Sequence, residues 1–199
     1  LCTNTTADQV VAVGCGSLIS NTTGANNVAV GSLSLEGTTT GSDNTAAGPA
    51  SGLSLTTGSN NLLLGHDAGR SNSPNTITTG SDRIVLGNNS ITNAYIRVDW
   101  TVTSDLRDKM NIEPISHGLD FVNQLNPIKF NFKKSRENAT SHGRKKYGFK
   151  AQDILALEGE DNVIIDNEDP NSLKYIGSHL VPVLVNAIKE LKAENDSLK

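Results

Sequence analysis

Aromatic side chains are nearly missing from the first half of this 199-residue chain. Before Trp100 the only one is Tyr95, so the first half has little bulky apolar material for a globular core of its own. Charge is scarce there too, since residues 1–103 carry three basic and six acidic side chains, against fourteen and fifteen in residues 104–199. The first half therefore needs stacked repeats, oligomerisation or both to become stable.

Several other features are absent from the sequence. No apolar run is long enough to span a bilayer, and the first residues do not resemble a signal peptide, so we expect no membrane partner. Two cysteines, Cys2 and Cys15, are too few and too close to staple a secreted scaffold, and neither lies in a metal-ligand pattern. We expect no metal and no cofactor. The chain also lacks an initiator methionine, which favours a fragment or a processed product.

A basic cluster in the second half raises the question of nucleic-acid binding. It lacks interleaved aromatic residues and belongs to a chain of net charge −4, so a solvated loop is favoured and we expect no nucleic-acid partner. The cluster comprises Lys133, Lys134, Arg136, Arg144, Lys145 and Lys146.

The first half contains an internal repeat with a period of 17 residues. Each unit begins with Thr-Thr-Gly or a close variant, continues through Asn or Asp, and ends with a short apolar run and a glycine. The closing glycines are Gly14, Gly31, Gly48, Gly65 and Gly87, so the last step is longer than the others. The extra residues fit an inserted loop around Ser71–Asn75. Each unit predicts a turn, in which Gly, Asn and Asp tolerate positive φ, and a short buried strand.

Two units, Asn27–Gly31 and Asn44–Gly48, have the form Asn-x-Ala-x-Gly. This form resembles the β-roll heads of trimeric autotransporter adhesins and the shafts of phage tail fibres. The resemblance implies an all-β repetitive trimeric shaft or head over residues 1–87. A disordered low-complexity linker is the alternative, but disordered tracts seldom keep apolar residues in phase.

Residues 88–103 form a junction of different character. Ile96, Val98, Trp100 and Val102 alternate with more polar residues, which predicts strands leading into the second half. We interpret Trp100 as a packing anchor at this junction. A glycan-stacking role for Trp100 is the less favoured alternative.

The second half predicts a mixture of helices and strands. A helix is expected over residues 116–125, ended by Asn126-Pro127, and a final helix from about Ser178. Between them we expect a strand at 128–132, a polar loop at 133–146, a strand leading into a helix from Tyr147, and short strands at 163–165 and 173–176. The final helix has apolar residues at coiled-coil spacing with one polar position in the seam. These residues are Leu184, Ile188, Leu191, Asn195 and Leu198.

Four sequence blocks follow one another through the second half. They are Ser-Asp-x-Arg-x-Lys-x-Asn-Ile from Ser104, Leu-Asn-Pro-Ile-Lys-Phe from Leu125, Tyr-Gly-Phe-x-Ala-Gln-Asp from Tyr147, and the stretch from Tyr175 to Leu191. Together they resemble the C-terminal intramolecular chaperone of endosialidase tailspikes and phage tail fibres, the peptidase S74 family. The resemblance implies an α+β chaperone domain with a C-terminal coiled-coil helix, in an intertwined homotrimer. Such domains help the upstream β-structured fibre to fold and then cut themselves off before the motif serine, which here places the scissile bond at Thr103–Ser104 and the autoprotease domain at 104–199.

Ser104 and Lys109 are the candidate catalytic pair. A serine hydroxyl is a weak nucleophile unless a base takes its proton, and none of the histidines lies near Ser104 in sequence. Lysine can be that base if its pKa falls well below about 10.4, through burial or a positive charge such as that of Arg107. Five residues of a regular helix rotate by roughly 500°, which puts the two side chains on different faces. They can meet if Ser104 precedes the helix, with Asp105 as its N-cap, or if they belong to different chains.

Asn111 is a candidate for orienting the site or stabilising the oxyanion. The sequence as a whole predicts a virion protein, a tail fibre or spike whose chaperone part is released in the host cytoplasm. Its partners would be further copies of itself, its own upstream fibre and a host receptor or glycan. Three alternatives remain. The first is a trimeric structural adhesin or fibre tip with a C-terminal trimerisation cap and no cleavage. The others are a membrane-tethered regulator released by the same chemistry, as in myelin regulatory factors, and a serine protease that acts on other proteins.

Overall fold

The computed structural model of the protein describes residues 3–70, 73–159 and 162–199. The chain divides into two compact units, residues 1–94 with 133–142 and residues 95–132 with 143–199. The first is built on a parallel β-solenoid, and the second is an α+β unit that ends in a long helix. The predicted order, repetitive β-structure followed by an α+β part with a C-terminal helix, is confirmed.

The solenoid stacks one short strand per repeat into a single parallel sheet. The strands are β1 (Val11–Val13), β2 (Val28–Val30), β3 (Thr45–Ala47), β4 (Leu62–Leu64) and β5 (Ile84–Leu86), paired in that order. Their register follows the sequence repeat, with Ala12 opposite Ala29, Ala29 opposite Ala46, Ala46 opposite Leu63 and Leu63 opposite Val85. The predicted period is therefore the number of residues in one turn of the solenoid.

The inserted loop of the last repeat lies between Gly69 and Ile77. The backbone N–H of Ile77 donates to the Gly69 carbonyl at 2.8 Å, which closes the loop and returns the chain to the solenoid. Ile77 is fully buried. Of the predicted loop residues 71–75, Ser71 and Asn72 lie outside the described residues.

The solenoid core is made of small and aliphatic side chains. The middle residue of β2, β3, β4 and β5 is buried, and aliphatic residues of the turns pack against this column. Each turn supplies only a few apolar groups, so the core is continuous only because neighbouring turns stack. Its buried members are Leu18, Ala29, Leu35, Ala46, Leu55, Leu63, Ala68, Ile77 and Val85.

A ladder of buried asparagines runs beside this core. The Asn44 amide nitrogen donates to Asn27 Oδ1 at 3.1 Å, and the Asn61 amide nitrogen donates to Asn44 Oδ1 at 2.9 Å. Asn44 Nδ2 also donates to the Gly58 carbonyl at 3.0 Å. Each amide thereby satisfies backbone groups of the next turn that water does not reach. The repeated asparagine of the sequence pattern is thus a structural residue of the interior.

The glycines Gly24, Gly41 and Gly58 of the Thr-Thr-Gly units are required by the close approach of the next turn. A Cβ atom at Gly41 would lie 2.2 Å from the Gly58 carbonyl oxygen, and one at Gly58 would lie 2.1 Å from that of Gly80. The Asn or Asp two residues later adopts positive φ, for example +59° at Asp43 and +56° at Asn60. The predicted turn chemistry is confirmed at these positions.

Downstream of the solenoid, the described residues contain three α-helices and four strands, and residues 133–142, at the tip of one hairpin, belong to the first unit. The elements are α1 (Leu119–Gln124), β6 (Ile128–Lys133), β7 (Ser141–Gly148), α2 (Ala151–Glu158), β8 (Ile165–Asp166), β9 (Lys174–Tyr175) and α3 (Leu180–Ser197). Helix α3 packs on α1, β6 pairs with β7, and β8 pairs antiparallel with β9. The buried core comprises Phe121, Ile154, Ile164, Ile165, Leu180 and Val183.

A buried carboxylate holds the chain after α2. The Glu158 side chain accepts hydrogen bonds from the backbone N–H groups of Val163 at 2.8 Å, Ile164 at 2.6 Å and Ile165 at 3.0 Å. These bonds fix the segment that carries Ile164 and Ile165 into the core. Nothing in the sequence pattern pointed to Glu158, because a glutamate at a helix end is ordinarily solvated.

The predicted polar loop over 133–146 is wrong in its second part. Residues Ser141–Gly148 form strand β7 against β6, because pairing with a neighbouring strand outweighs the low strand propensity of a Gly-Arg-Lys-Lys run. Lys146 lies over the Phe132 ring at 5.4 Å and Lys129 over the Tyr147 ring at 5.7 Å. The basic cluster therefore lies exposed on a β-hairpin.

The predicted junction strands are not formed in this chain. Within the described residues no strand lies between β5 and the turn at Leu106, and the Trp100 side chain is 73% exposed rather than packed. A strand needs a partner for its backbone groups. The described part of this chain supplies no such partner to residues 95–103.

Candidate active site

A single 3₁₀ turn, Leu106–Asp108, shapes the backbone around Ser104. The Asp105 side chain accepts a hydrogen bond from the backbone N–H of Arg107 at 2.9 Å, and the Lys109 N–H donates to the Leu106 carbonyl at 3.1 Å. Asp105 is therefore the N-cap of the turn, in the position that the sequence predicted for it. The turn is tighter than an α-helix, and Ser104 lies before it.

The two candidate catalytic side chains meet across this turn within one chain. Lys109 Nζ donates a hydrogen bond to Ser104 Oγ at 2.8 Å. The pair can meet because Lys109 has already left the turn, with φ −115° and ψ 143°, so the helical rotation that would separate them does not apply. Both residues are exposed to solvent in the single chain.

Asp105 and Arg107 form a two-pronged ion pair around the same turn. The distances are 3.0 Å from Arg107 Nε to Asp105 Oδ1 and 2.6 Å from an Arg107 terminal nitrogen to Asp105 Oδ2. The hydrogen bonds from Arg107 lower the pKa of the Asp105 carboxyl, and those to Asp105 raise the pKa of the guanidinium. Because Asp105 compensates its charge, Arg107 braces the turn rather than presenting a free positive charge to Lys109.

This ion pair gives a testable pH dependence. We expect the Asp105 carboxyl to titrate below its ordinary pKa because Arg107 stabilises the charged form. Because folding lowers this pKa, the ion pair stabilises the turn at pH values above the ordinary pKa of a carboxyl group. That stabilisation is lost as the pH falls through the lowered pKa of Asp105. A carboxyl-detected NMR titration of the Ser104→Ala chain measures it. Arg107→Gln should raise the Asp105 pKa back towards its ordinary value, and an unchanged titration in that variant would contradict the pairing.

The other predicted site residues, Asn111 and the coiled-coil positions, make no described contact with Ser104 or Lys109. Asn111 has a left-handed φ of +52° and is exposed, and within the described residues no hydrogen bond joins it to Ser104 or Lys109. The predicted coiled-coil residues lie on α3 and its C-terminal cap, and all are exposed in the single chain. Val181, which the sequence analysis did not include, extends the same spacing towards the N-terminus of α3 and is 57% exposed.

Other kinds of site find little support in the described part of the chain. There, no three His, Cys, Asp or Glu side chains come together as metal ligands would, and no helix combines the length and the apolar character that a membrane crossing needs. Cys15 is a free, exposed thiol, and Cys2 lies outside the described residues.

A family model matches part of the second half of the chain. Residues 104–164 match the family model described as chaperone of endosialidase, peptidase S74. The match begins at Ser104 and covers the 3₁₀ turn between Ser104 and Lys109 (the dyad turn), α1, the β6–β7 hairpin and α2. Helix α3 lies beyond it. No curated protein and no solved structure matches the chain. The family suggested by the sequence blocks is thus confirmed over this segment.

Proposed function

We propose that the C-terminal part of the chain, whose residues 104–164 match the chaperone-of-endosialidase family model, assembles and folds the upstream solenoid and then releases itself by cutting Thr103–Ser104. The observation that carries the cleavage proposal is the 2.8 Å contact between Lys109 Nζ and Ser104 Oγ. A nucleophile and its base have to lie within hydrogen-bond reach. This pair does so at the first residue of the family match.

The proposed reaction has two steps. Neutral Lys109 takes the Ser104 hydroxyl proton as Oγ attacks the Thr103 carbonyl carbon. The Thr103–Ser104 C–N bond then breaks, the Ser104 nitrogen takes the proton, and an ester joins Thr103 to Ser104 Oγ. Water hydrolyses the ester, which leaves a Thr103 carboxylate and a free α-amine and hydroxyl on Ser104. The enzyme is a single-turnover serine endopeptidase and needs no cofactor.

Assembly into a homotrimer supplies what the single chain lacks. The dyad is exposed, and a lysine acts as a base more readily when burial disfavours its charged form. Two uncharged surfaces support assembly, one being the exposed α3 stripe at coiled-coil spacing. The other is the outer face of the solenoid strands, where Val13, Ile84 and Leu86 are more than half exposed. Cleavage would then follow assembly.

The biological setting that fits this arrangement is the end of a virion tail fibre or spike. Cutting off the folding domain after assembly would leave the solenoid trimer without its folding template, which favours kinetic stability. The released domain would remain in the host cytoplasm, and the solenoid would face a host receptor or glycan.

Intact-mass spectrometry of the freshly expressed full chain tests the cleavage proposal. We expect wild type to give two fragments, one ending at Thr103 and one beginning at Ser104, and Ser104→Ala to stay intact. Lys109→Arg should also stay intact, because it keeps the charge but holds its proton too tightly to act as a base. Ser116→Ala, an exposed serine outside the dyad, is the matched control and should cleave as wild type does.

Native mass spectrometry of the same samples separates the two halves of the proposal. An uncut wild-type chain that is trimeric would overturn autoproteolysis and leave a fibre tip with a trimerisation cap. An uncut monomer would contradict both the cleavage and the assembly. Cleavage in Lys109→Arg at the wild-type rate would remove Lys109 from the mechanism.

A further inference from the structure

The segment just before the proposed cleavage bond has the pattern of a strand but not the structure of one. Its even-numbered residues from Ile96 to Val102 are apolar, while Arg97, Asp99 and Thr101 lie between them. Such alternation is typical of a strand with one buried face. Here the segment is irregular with a bend at 97–98, and within the described residues the backbone of 95–103 makes no hydrogen bond.

The apolar side of this segment is almost fully solvated in the single chain. Val98 and Trp100 are each 73% exposed, Val102 is 81% exposed and Ile96 is 52% exposed. In an extended strand these four alternate residues would share one apolar face, and exposed apolar surface of this kind marks interaction sites. Both the backbone and the apolar side therefore lack partners that a further chain could supply.

We propose that residues 95–102 form a strand that pairs in parallel with the same segment of other copies of this chain, with Ile96, Val98, Trp100 and Val102 packed together at the centre. The proposal rests on the proposed trimer, because a rotational symmetry axis along the assembly makes equivalent segments run in the same direction. It adds the location of an interface beside the scissile bond.

Charge favours a second copy as the occupant. The outward side of the segment carries Arg97 and Asp99, of opposite sign and two residues apart. A shift of two residues between parallel neighbours brings Arg97 of one copy opposite Asp99 of the next. Because side chains alternate with a period of two, this shift keeps the apolar side facing inward. The segment is thus complementary to itself in both apolar pattern and charge.

This pairing has a consequence for the cleavage site. Thr103 follows directly after the proposed strand, and the dyad turn follows Ser104. In the single chain the segment before the bond is held by no backbone hydrogen bond among the described residues. Pairing with other copies would fix the Thr103 carbonyl relative to Ser104 Oγ, and positioning of this kind speeds a reaction. The interface would thereby couple cleavage to assembly.

Trp100 is the only tryptophan in the chain, so its fluorescence reports on this segment alone. The test uses the intact Ser104→Ala chain, with oligomeric state from native mass spectrometry and Trp100 exposure from acrylamide quenching. We expect the oligomer to show blue-shifted emission and weakened quenching. Val98→Asn, on the apolar side, should weaken self-association about tenfold or more, which corresponds to about 1.4 kcal/mol.

Thr101→Asn is the matched control, since it places the same uncharged amide on the opposite side of the same segment and adds no charge opposite Asp99. It should leave both association and Trp100 quenching close to those of the parent. Val98 is largely exposed in the single chain, so its replacement should not unfold the monomer, and circular dichroism checks this. An oligomer with fully quenchable Trp100, or equal effects of the two asparagine substitutions, would overturn the pairing but leave the proposed chaperone in place. A monomer at all concentrations would overturn both.

Discussion

Replacing Asn44 with alanine is expected to destabilise the solenoid by about 3–5 kcal/mol, because it removes the middle rung of a fully buried ladder. Asn44 accepts hydrogen bonds from the backbone N–H and the side chain of Asn61 and donates to Asn27 and the Gly58 carbonyl. Alanine would leave the Gly58 carbonyl and the Asn61 N–H without these partners. Urea unfolding of the Ser104→Ala chain, followed by circular dichroism, measures the loss, and amide hydrogen exchange locates it.

The control for this prediction is Asn60→Gly. The Asn60 side-chain nitrogen donates to Asp82 Oδ1 at 2.7 Å, but on the exposed side of the turn. Glycine readily adopts the positive φ of +56° that Asn60 has. We expect a change within about 1 kcal/mol. If both variants lost a similar free energy of unfolding, burial of the ladder would not be the reason for its contribution to stability.

The second large effect is expected at Glu158, where glutamine should destabilise the α+β unit by about 2–4 kcal/mol. The carboxylate accepts three backbone N–H groups, from Val163, Ile164 and Ile165. Glutamine keeps one acceptor oxygen but replaces the other with an NH₂ group, which faces N–H donors and cannot accept from them. The measurement is again urea unfolding in the Ser104→Ala background, with hydrogen exchange at residues 163–165.

Asp153→Asn is the matched acidic control on the same helix. Its ion pair with Lys150, at 3.1 Å, is roughly half exposed, and exposed pairs contribute only about 0–1 kcal/mol. Unchanged protection of Ile164 and Ile165 in Glu158→Gln would show that the clamp does not hold this segment.

Local and periodic signals were readable from the sequence. The repeat spacing, the glycine and asparagine turns and the position of Asp105 as an N-cap depend on residues close in sequence or repeated at a fixed step. Stacking turns carry the same residue into the same environment each time, so the pattern in the chain is also the pattern in space. The family blocks added the scissile bond and the dyad as expectations.

Pairings that depend on geometry were not predictable from residue type. The sequence predicts a loop where β7 forms, because its charged residues have little strand propensity and only its pairing with β6 makes it a strand. The sequence also makes Arg107 a candidate positive charge beside Lys109, whereas the structure places its guanidinium against Asp105. In both cases the partner was set by geometry rather than by residue type.

Composition, repeat spacing and the order of the motifs were enough to predict a repetitive β-array followed by an α+β domain, with Ser104 and Lys109 where the two meet. These features are local or periodic, so they can be recognised from the order of the residues alone. The folded structure was needed to show that the asparagines face inward, that Glu158 holds the segment after its own helix, and that Lys109 reaches Ser104 within one chain. These features depend on burial and on side-chain direction, which are set only when the chain takes its folded path.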